Sequence, residues 1–163
     1  MLERVCQIVR ERGPALVLSA LWLAEQLAAQ VPVTVLIESD KRRGAKRVVR
    51  RAAQLGQRLM VVAAGEELPV AGQSAGCILV ENVAEIEDEA AAVEFLAGLA
   101  PLLRADGVLL ALDATKNPAI EARLAALFLA AALTGIAQER PREGALLTIG
   151  GAASAAVLAA RLG

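Results

Sequence analysis

The sequence contains no histidine and no tyrosine, and aromatic residues make up only 2% of its 163 residues. Without histidine, the chain cannot build a Ser-His-Asp or Cys-His catalytic arrangement or a histidine-ligated metal site. Its two cysteines, Cys6 and Cys77, are too few for a four-thiolate site, and we expect both to be reduced and buried in a cytoplasmic protein. These scarcities exclude several common classes of enzyme and metal protein.

Long hydrophobic runs are also missing. The uncharged apolar stretch between Arg123 and Glu139 is shorter than the roughly 20 apolar residues of a membrane-spanning helix. Residues 1–13 alternate charged and apolar positions, which predicts an amphipathic helix and not a secretory signal. The sequence therefore predicts a protein of the cytoplasm without a membrane span.

Apolar residues are abundant, at 56% of the chain, and this is enough for one domain covering residues 1–163. Short apolar runs alternate with longer helical patterns, which is typical of a parallel sheet covered on both faces. The last two strand-like runs flank a Pro- and Gly-containing turn and predict an antiparallel hairpin. The predicted strands are 15–18, 33–37, 59–62, 76–80, 107–112, 136–139 and 145–149, and the predicted helices are 20–30, 39–55, 88–103, 117–135 and 154–162.

The fold class that follows is α/β. We expect a three-layer Rossmann-like fold with a mixed, mostly parallel sheet of about seven strands that closes with a C-terminal antiparallel hairpin.

Four segments, 33–55, 65–70, 75–80 and 102–110, follow one another in an order and spacing shared with one known family. In this order the chain resembles the class I S-adenosylmethionine-dependent methyltransferases. The resemblance implies S-adenosylmethionine as the cofactor of an active member. It also puts Glu38 at the position of the acidic residue that holds the ribose hydroxyls. The alternative interpretation of Glu38 is an ordinary polar residue at a strand end.

The residues after the first strand depart from that family. The family has an acidic residue and then a glycine-rich turn that lets the backbone approach the cofactor. Here Val17 takes the place of the acid, and Ser19, Leu21 and Leu23 take the places of the glycines. We therefore expect a non-catalytic methyltransferase-like domain without a cofactor. The alternative is an active enzyme on an unknown substrate that binds S-adenosylmethionine through Glu38.

Polar residues follow two of the predicted strands, but they do not form a complete catalytic set. Glu81 and Asn82 come after the fourth strand, where this family often has catalytic groups, yet one carboxylate and one amide are a weak signal for catalysis. Asp113 and Lys116 follow the fifth strand as in receiver domains, but the acidic cluster that a receiver carries after its first strand is absent. We assign no catalytic residue from the sequence.

Charge is separated along the chain, although the net charge is only −1. Residues 41–58 contain eight basic residues and no acid, and residues 59–103 contain eight acids and no base. Such separation is uncommon on a globular surface and indicates a binding surface. The basic residues are Lys41, Arg42, Arg43, Lys46, Arg47, Arg50, Arg51 and Arg58, and the acids are Glu66, Glu67, Glu81, Glu85, Glu87, Asp88, Glu89 and Glu94.

The basic run has helical spacing. Two ladders of like charge, each at intervals of four residues, lie on one face of the predicted helix, where they weaken it by a few tenths of a kcal/mol per pair. The face is either solvated or bound to an acidic protein surface or a nucleic acid, and the acidic half of a second copy is one such surface. The partner-binding candidates on it are Arg42, Arg43, Lys46, Arg47, Arg50 and Arg51.

A second candidate surface is apolar. On the predicted helix 117–135, Leu129 and Leu133 lie nearly opposite the side chains that face the sheet. Either the predicted C-terminal helix 154–162 or another subunit would cover them. Together with the basic face, they lead us to expect a role in protein–protein interaction or assembly. A nucleic-acid-binding module is a further alternative.

Overall fold

The computed structural model describes residues 2–18, 27, 33–37, 50, 54, 59–63 and 74–152. They form three α-helices and seven strands. The helices are α1 (Leu2–Arg12), α2 (Glu89–Leu99) and α3 (Pro118–Ala130). The strands are β1 (Ala15–Leu18), β2 (Val33–Ile37), β3 (Leu59–Ala63), β4 (Ala75–Glu81), β5 (Leu103–Asp113), β6 (Thr134–Glu139) and β7 (Leu146–Gly151).

The described strands form one sheet in the order β3-β2-β1-β4-β5-β7-β6. Strands β1 to β5 pair in parallel, whereas β7 runs antiparallel to both β5 and β6. The predicted mixed sheet with a closing hairpin is confirmed. Strand β1 is central, and its last residue, Leu18, is paired with Leu36 on one side and Val80 on the other.

Helices cover both faces of this sheet, as expected for a three-layer fold. On one face, the α2 residue Leu96 and the α3 residue Phe128 belong to a buried cluster with Ile78 and Leu109 of the sheet. Neighbouring positions in a strand point to opposite faces, so Leu79 faces the other layer. There α1 contacts β4 and β5 and buries Val5 and other apolar residues completely or nearly so.

Both described crossover helices begin where the sequence predicts, and a side chain caps the start of each. Asp88 accepts a hydrogen bond of 2.9 Å from the backbone N–H of Ala90, and Asn117 accepts one of the same length from Ala119. Each cap satisfies a backbone donor that the first turn of a helix leaves unpaired. Pro118 occupies the first turn of α3, where its missing N–H costs nothing.

Two predicted helix ends were wrong. Helix α2 ends at Leu99 and not near 103, because Pro101 has no N–H to continue the helix, and a short 3-10 helix, Ala100–Leu102, follows. Helix α3 ends at Ala130 and not at Gly135. The chain reverses at Ala132, which has a left-handed φ of 71°.

Early reversal moves the following residues out of the helix and into the sheet. Leu133 is therefore only 1% exposed and belongs to the core cluster, which corrects its expected place on the face of the predicted helix 117–135 that points away from the sheet. Strand β6 begins directly after it, at Thr134.

Strand β5 also begins earlier than predicted, at Leu103, and its pairing with β4 shifts register between Ala75 and Cys77. The predicted helices 20–30, 39–55 and 154–162 lie almost entirely outside the described residues. Within the described part of the chain, none of the helices has both the length and the apolar character needed to cross a membrane.

Candidate functional site

The parallel strands present their carboxyl ends along one edge of the sheet. Between β1 and β4 the strand order reverses direction, because the chain moves outward from β1 to β2 and β3 and then returns to β4 on the other side. In open α/β sheets, ligands bind outside the carboxyl ends at such a switch point. The register puts Leu18 beside Val80 there, with Glu81 following as the last residue of β4.

Asn82 shapes the chain at this switch point. Its φ of 59° and ψ of 38° lie in the left-handed region, which asparagine tolerates better than most residues. Its N–H donates to the carbonyl oxygen of Leu112 at 3.0 Å, and its own carbonyl accepts from the N–H of Glu85 at 3.1 Å. The β4–β5 pairing is thus extended by one residue, and the exposed amide of Asn82 remains at the edge.

Asp113 ends the neighbouring strand and is almost completely buried, with 3% of its surface exposed. Its Oδ1 accepts a hydrogen bond of 2.9 Å from the N–H of Ala84, whereas Oδ2 has no hydrogen-bond partner among the described residues. Burial raises the pKa of this carboxyl, and the negative charge of Glu85 raises it further. The Ala84 N–H and the positive charge of Arg123 act in the opposite direction.

Arg123 holds the other side of the same loop. From α3, its Nη1 donates to the carbonyl oxygen of Ala84 at 3.1 Å, and its Nη2 donates to that of Ile86 at 2.6 Å. The carboxylate of Glu89 lies 3.9 Å from its Nε. Residues of β5 and α3 therefore fix the loop that connects β4 to α2.

A second set of ion pairs joins the loop after β5 and the first turn of α3 to the β6–β7 hairpin. Lys116 Nζ lies 2.8 Å from the carboxylate of Glu143, and Arg140 contacts the carboxylate of Glu121 at the same distance. Arg140 also donates to the carbonyl oxygen of Thr115 at 2.7 Å. These contacts connect the hairpin to the edge of the sheet next to Asp113.

The described part of the edge offers mainly carboxylates. Glu85, Glu87, Asp88 and Glu89 are exposed between β4 and the first turn of α2. No group of three or more Asp, Glu or Cys residues among the described residues has the arrangement to hold a metal ion. Cys77 on β4 is completely buried, and burial raises the pKa of its thiol to about 12, so it is not a reactive nucleophile.

The structure describes few of the partner and cofactor residues predicted from the sequence. Arg50 is exposed and helical, and Leu129 on α3 is 55% exposed. Leu133 is buried and lies near the start of β6, away from any surface that Leu129 forms. The remaining predicted residues lie outside the described part of the chain: Glu38, Arg42, Arg43, Lys46, Arg47 and Arg51.

Sequence reasoning gave no role to Arg123 and compared Asp113 only with a receiver domain. A signal for Arg123 was present, because it is the one basic residue in an otherwise apolar and acidic helix sequence, 118–133. A charge at such a position usually has a fixed partner. The sequence did not indicate which backbone carbonyl oxygens Arg123 would bind, because they belong to residues at least 36 positions away in the chain.

Comparison with known proteins gives structural matches but no sequence match. No protein-family model matches the chain, and no curated protein matches it either. A proposed O-methyltransferase from Nostoc punctiforme superimposes with a TM-score of 0.73 at 16% identity, covering 92% of this chain and 55% of that one. For an O-methyltransferase family protein from Burkholderia thailandensis, the TM-score is 0.69 at 20% identity, covering 95% and 56%.

A third match is NcsB1, an O-methyltransferase from neocarzinostatin biosynthesis, solved with S-adenosylhomocysteine and 1,4-dihydroxy-2-naphthoic acid. It superimposes with a TM-score of 0.67 at 20% identity, covering 87% of this chain and 50% of NcsB1. The chain thus has a class I methyltransferase-like fold, and it spans about half the length of these matched structures.

Proposed function

We propose that this chain is the cofactor-binding domain of an S-adenosylmethionine-dependent methyltransferase. The observation that carries the proposal is the switch point between β1 and β4, which lies at the carboxyl edge, where sheets of this kind bind their ligands. Matched structures of the same fold, such as NcsB1, were solved with S-adenosylhomocysteine or S-adenosylmethionine bound. The class of methyl acceptor proposed is a hydroxyl group, because these matched proteins are O-methyltransferases.

Two acidic residues, one after β2 and one at the end of β4, are the proposed contacts to the cofactor at this edge. Glu38 directly follows β2 in the sequence, and β2 pairs with β1, which supports the proposal that its carboxylate accepts hydrogen bonds from the ribose hydroxyls. Glu81 ends β4 on the other side of β1 and adds a second carboxylate to the same edge. The cofactor, when bound, supplies an electrophilic methyl group, while this chain supplies the binding edge.

A non-catalytic domain is the second candidate, and one observation favours it. Val17, which stands at the position of the family's acid, is completely buried among β1's neighbours, and Leu18 after it is also buried. Neither side chain can bind the charged amino-acid part of S-adenosylmethionine. In this case the domain acts through protein contacts.

The partner surfaces proposed for that case are the basic face of residues 42–51 and the exposed acids near the start of α2. Arg50 represents the first surface among the described residues, and Glu87 and Asp88 represent the second. Pairing of the basic face with the acids of a second copy would give salt-sensitive self-association. Binding of the basic face to nucleic acid would also weaken with salt, but only when nucleic acid is added.

Calorimetric titration with S-adenosylmethionine and S-adenosylhomocysteine separates the two candidates. An active domain binds either ligand with a Kd of about 1 mM or tighter, and Glu38→Gln weakens binding at least tenfold. Glu94→Gln, which removes an exposed acid of α2 away from the strand ends, is the matched control and leaves the Kd unchanged. If neither ligand releases heat or raises the melting temperature, the methyltransferase proposal is wrong and the non-catalytic candidate stands.

A further inference from the structure

Asp113 has one carboxyl oxygen without a partner in the folded chain. The residue is 3% exposed, and although its Oδ1 accepts a hydrogen bond from Ala84, its Oδ2 is buried with no hydrogen-bond partner among the described residues. On the same face of the sheet, the neighbouring side chains of Ala111 and Leu146 are buried and apolar. At such a position a charged carboxylate loses its hydration and gains nothing at Oδ2, whereas a protonated carboxyl loses much less.

The donors around Asp113 are directed away from this oxygen. Arg123 donates through both terminal nitrogens to backbone carbonyl oxygens. In the loop after β4, the N–H groups of Asn82, Glu85 and Ile86 also donate to backbone carbonyl oxygens. Stabilising a negative charge at Oδ2 therefore requires that this loop move, so that water or the guanidinium of Arg123 can reach the oxygen.

Two charged side chains act on Asp113 in opposite directions. Burial has the largest effect and raises the pKa of the carboxyl, the N–H of Ala84 lowers it, Glu85 raises it and Arg123 lowers it. The other charged groups of the neighbouring elements are paired with one another or lie on the opposite face of the sheet. They are Lys116 with Glu143, Arg140 with Glu121, Glu89 at 3.9 Å from Arg123, and Glu81 on the opposite face.

The loop that Asp113 and Arg123 hold, residues 82–88, buries little apolar surface of its own. Among its side chains, Val83 is buried and the others are exposed or partly exposed. Local opening of a segment costs less free energy where few apolar side chains are buried. The loop begins at Asn82, which lies beside the switch point with a left-handed φ of 59°. Opening of the loop therefore changes the backbone that borders the carboxyl edge of the sheet.

We propose that Asp113 is a proton-controlled latch on the loop of residues 82–88. With a proton on its carboxyl, the side chain stays buried and accepts the hydrogen bond from Ala84, so that the loop is closed. When the proton passes to water, the carboxylate binds water or Arg123 through Oδ2, and the loop opens. This device goes beyond the proposed cofactor site, because it acts with or without a ligand and makes the shape of the edge beside Asn82 depend on pH.

Hydrogen–deuterium exchange of single amides, followed by NMR over a pH series and corrected for intrinsic exchange rates, tests the latch. Protection of the Ala84 amide should fall as the pH rises above 3.8, by about tenfold per pH unit, and level off once the pKa of the closed form is passed. In Asp113→Asn the side chain still accepts from Ala84 but carries no charge, so protection should not depend on pH.

The opening must also be local. The amide of Leu79 in β4, whose side chain is completely buried, should stay better protected than that of Ala84 at every pH. Equal protection of the two amides throughout would show that the chain opens only as a whole, and the proposal would be wrong.

Removal of the neighbouring charge gives an independent test. Because Glu85 raises the pKa of Asp113, the loss of protection in Glu85→Gln should be smaller in total and should level off at a lower pH. Glu87→Gln is the matched control, since Glu87 is an equally exposed acid of the same loop that does not shift this pKa, and it should behave as the parent chain. Protection of Ala84 that is independent of pH in the parent chain, or identical curves for both variants, would overturn the proposal.

Discussion

Asp113 accepts a hydrogen bond through Oδ1 from the backbone N–H of Ala84, at 2.9 Å. Arg123 binds the carbonyl oxygen of the same residue from the opposite side, so both polar groups of Ala84 are held by side chains of other elements. The loop that they fix begins at Asn82, beside the switch point of the sheet. The geometry of the candidate site therefore depends on one buried carboxyl and one partly buried guanidinium.

Stability should depend on pH through Asp113. Its pKa in the folded chain lies above the ordinary value of 3.8, so the folded chain binds more protons than the unfolded chain between these two values. The contribution of Asp113 to the free energy of unfolding is therefore fully present below pH 3.8 and declines as the pH rises through the folded-state pKa. Urea unfolding over a pH series should show the parent chain losing stability relative to Asp113→Asn as the pH rises. A difference that is constant with pH would contradict the raised pKa.

Removing the guanidinium of Arg123 should loosen the β4–α2 loop. Arg123→Met leaves the carbonyl oxygens of Ala84 and Ile86 without their charged donor, and we expect the free energy of unfolding to fall by about 1–3 kcal/mol. Exchange at amides 84–88 should accelerate as well. Glu89→Gln is the control, because its carboxylate is 3.9 Å away and 76% exposed, and it should change stability by less than about 0.5 kcal/mol. If both variants behave alike, the hydrogen bonds to the loop are not what Arg123 contributes.

Two glycines should respond to alanine in opposite ways. A Cβ on Gly76 would overlap the carbonyl oxygen of Arg12, where the end of α1 crosses β4, so Gly76→Ala should cost about 1–3 kcal/mol or more. A Cβ on Gly98 meets nothing within 4 Å, and Gly98 lies inside α2, so Gly98→Ala should gain about 0.5–1 kcal/mol. Denaturant unfolding of both variants measures the contrast. Tolerance of alanine at 76 would mean that α1 does not pack this closely on β4.

Leu129 and Leu133 were predicted to share a surface, but their alanine variants should differ in how much stability they lose. Leu133 is 1% exposed and belongs to the buried core cluster, so Leu133→Ala should cost about 2–5 kcal/mol. Leu129 is 55% exposed, and Leu129→Ala should change monomer stability by no more than about 0.5 kcal/mol. A concentration-dependent melting temperature that Leu129→Ala abolishes would assign Leu129 to a subunit contact. A large loss of stability for Leu129→Ala at high dilution would contradict its exposed position.

The predictions that were confirmed rest on interactions between residues close together in the sequence. Asp88 and Asn117 act as helix caps because their short side chains reach backbone donors two residues away, an interaction contained in a few neighbouring residues. Uniformly apolar runs such as those of β1 and β4 predicted buried parallel strands for an equally local reason. Predictions that extended a periodic pattern past Pro101 or Ala132 were wrong, because a missing donor and a single left-handed residue end a helix whatever the periodicity.

The sequence by itself determined the alternation of strands and helices, the closing hairpin and the positions of polar residues at strand ends, because these depend on the spacing of residues close together in the chain. Only the tertiary structure decided which of them meet. Asp113 and Ala84 are 29 residues apart, and Arg123 and Ile86 are 37 apart. The burial that raises the pKa of Asp113 and removes Leu133 from the surface arises only when separate elements pack together, and no local pattern encodes it.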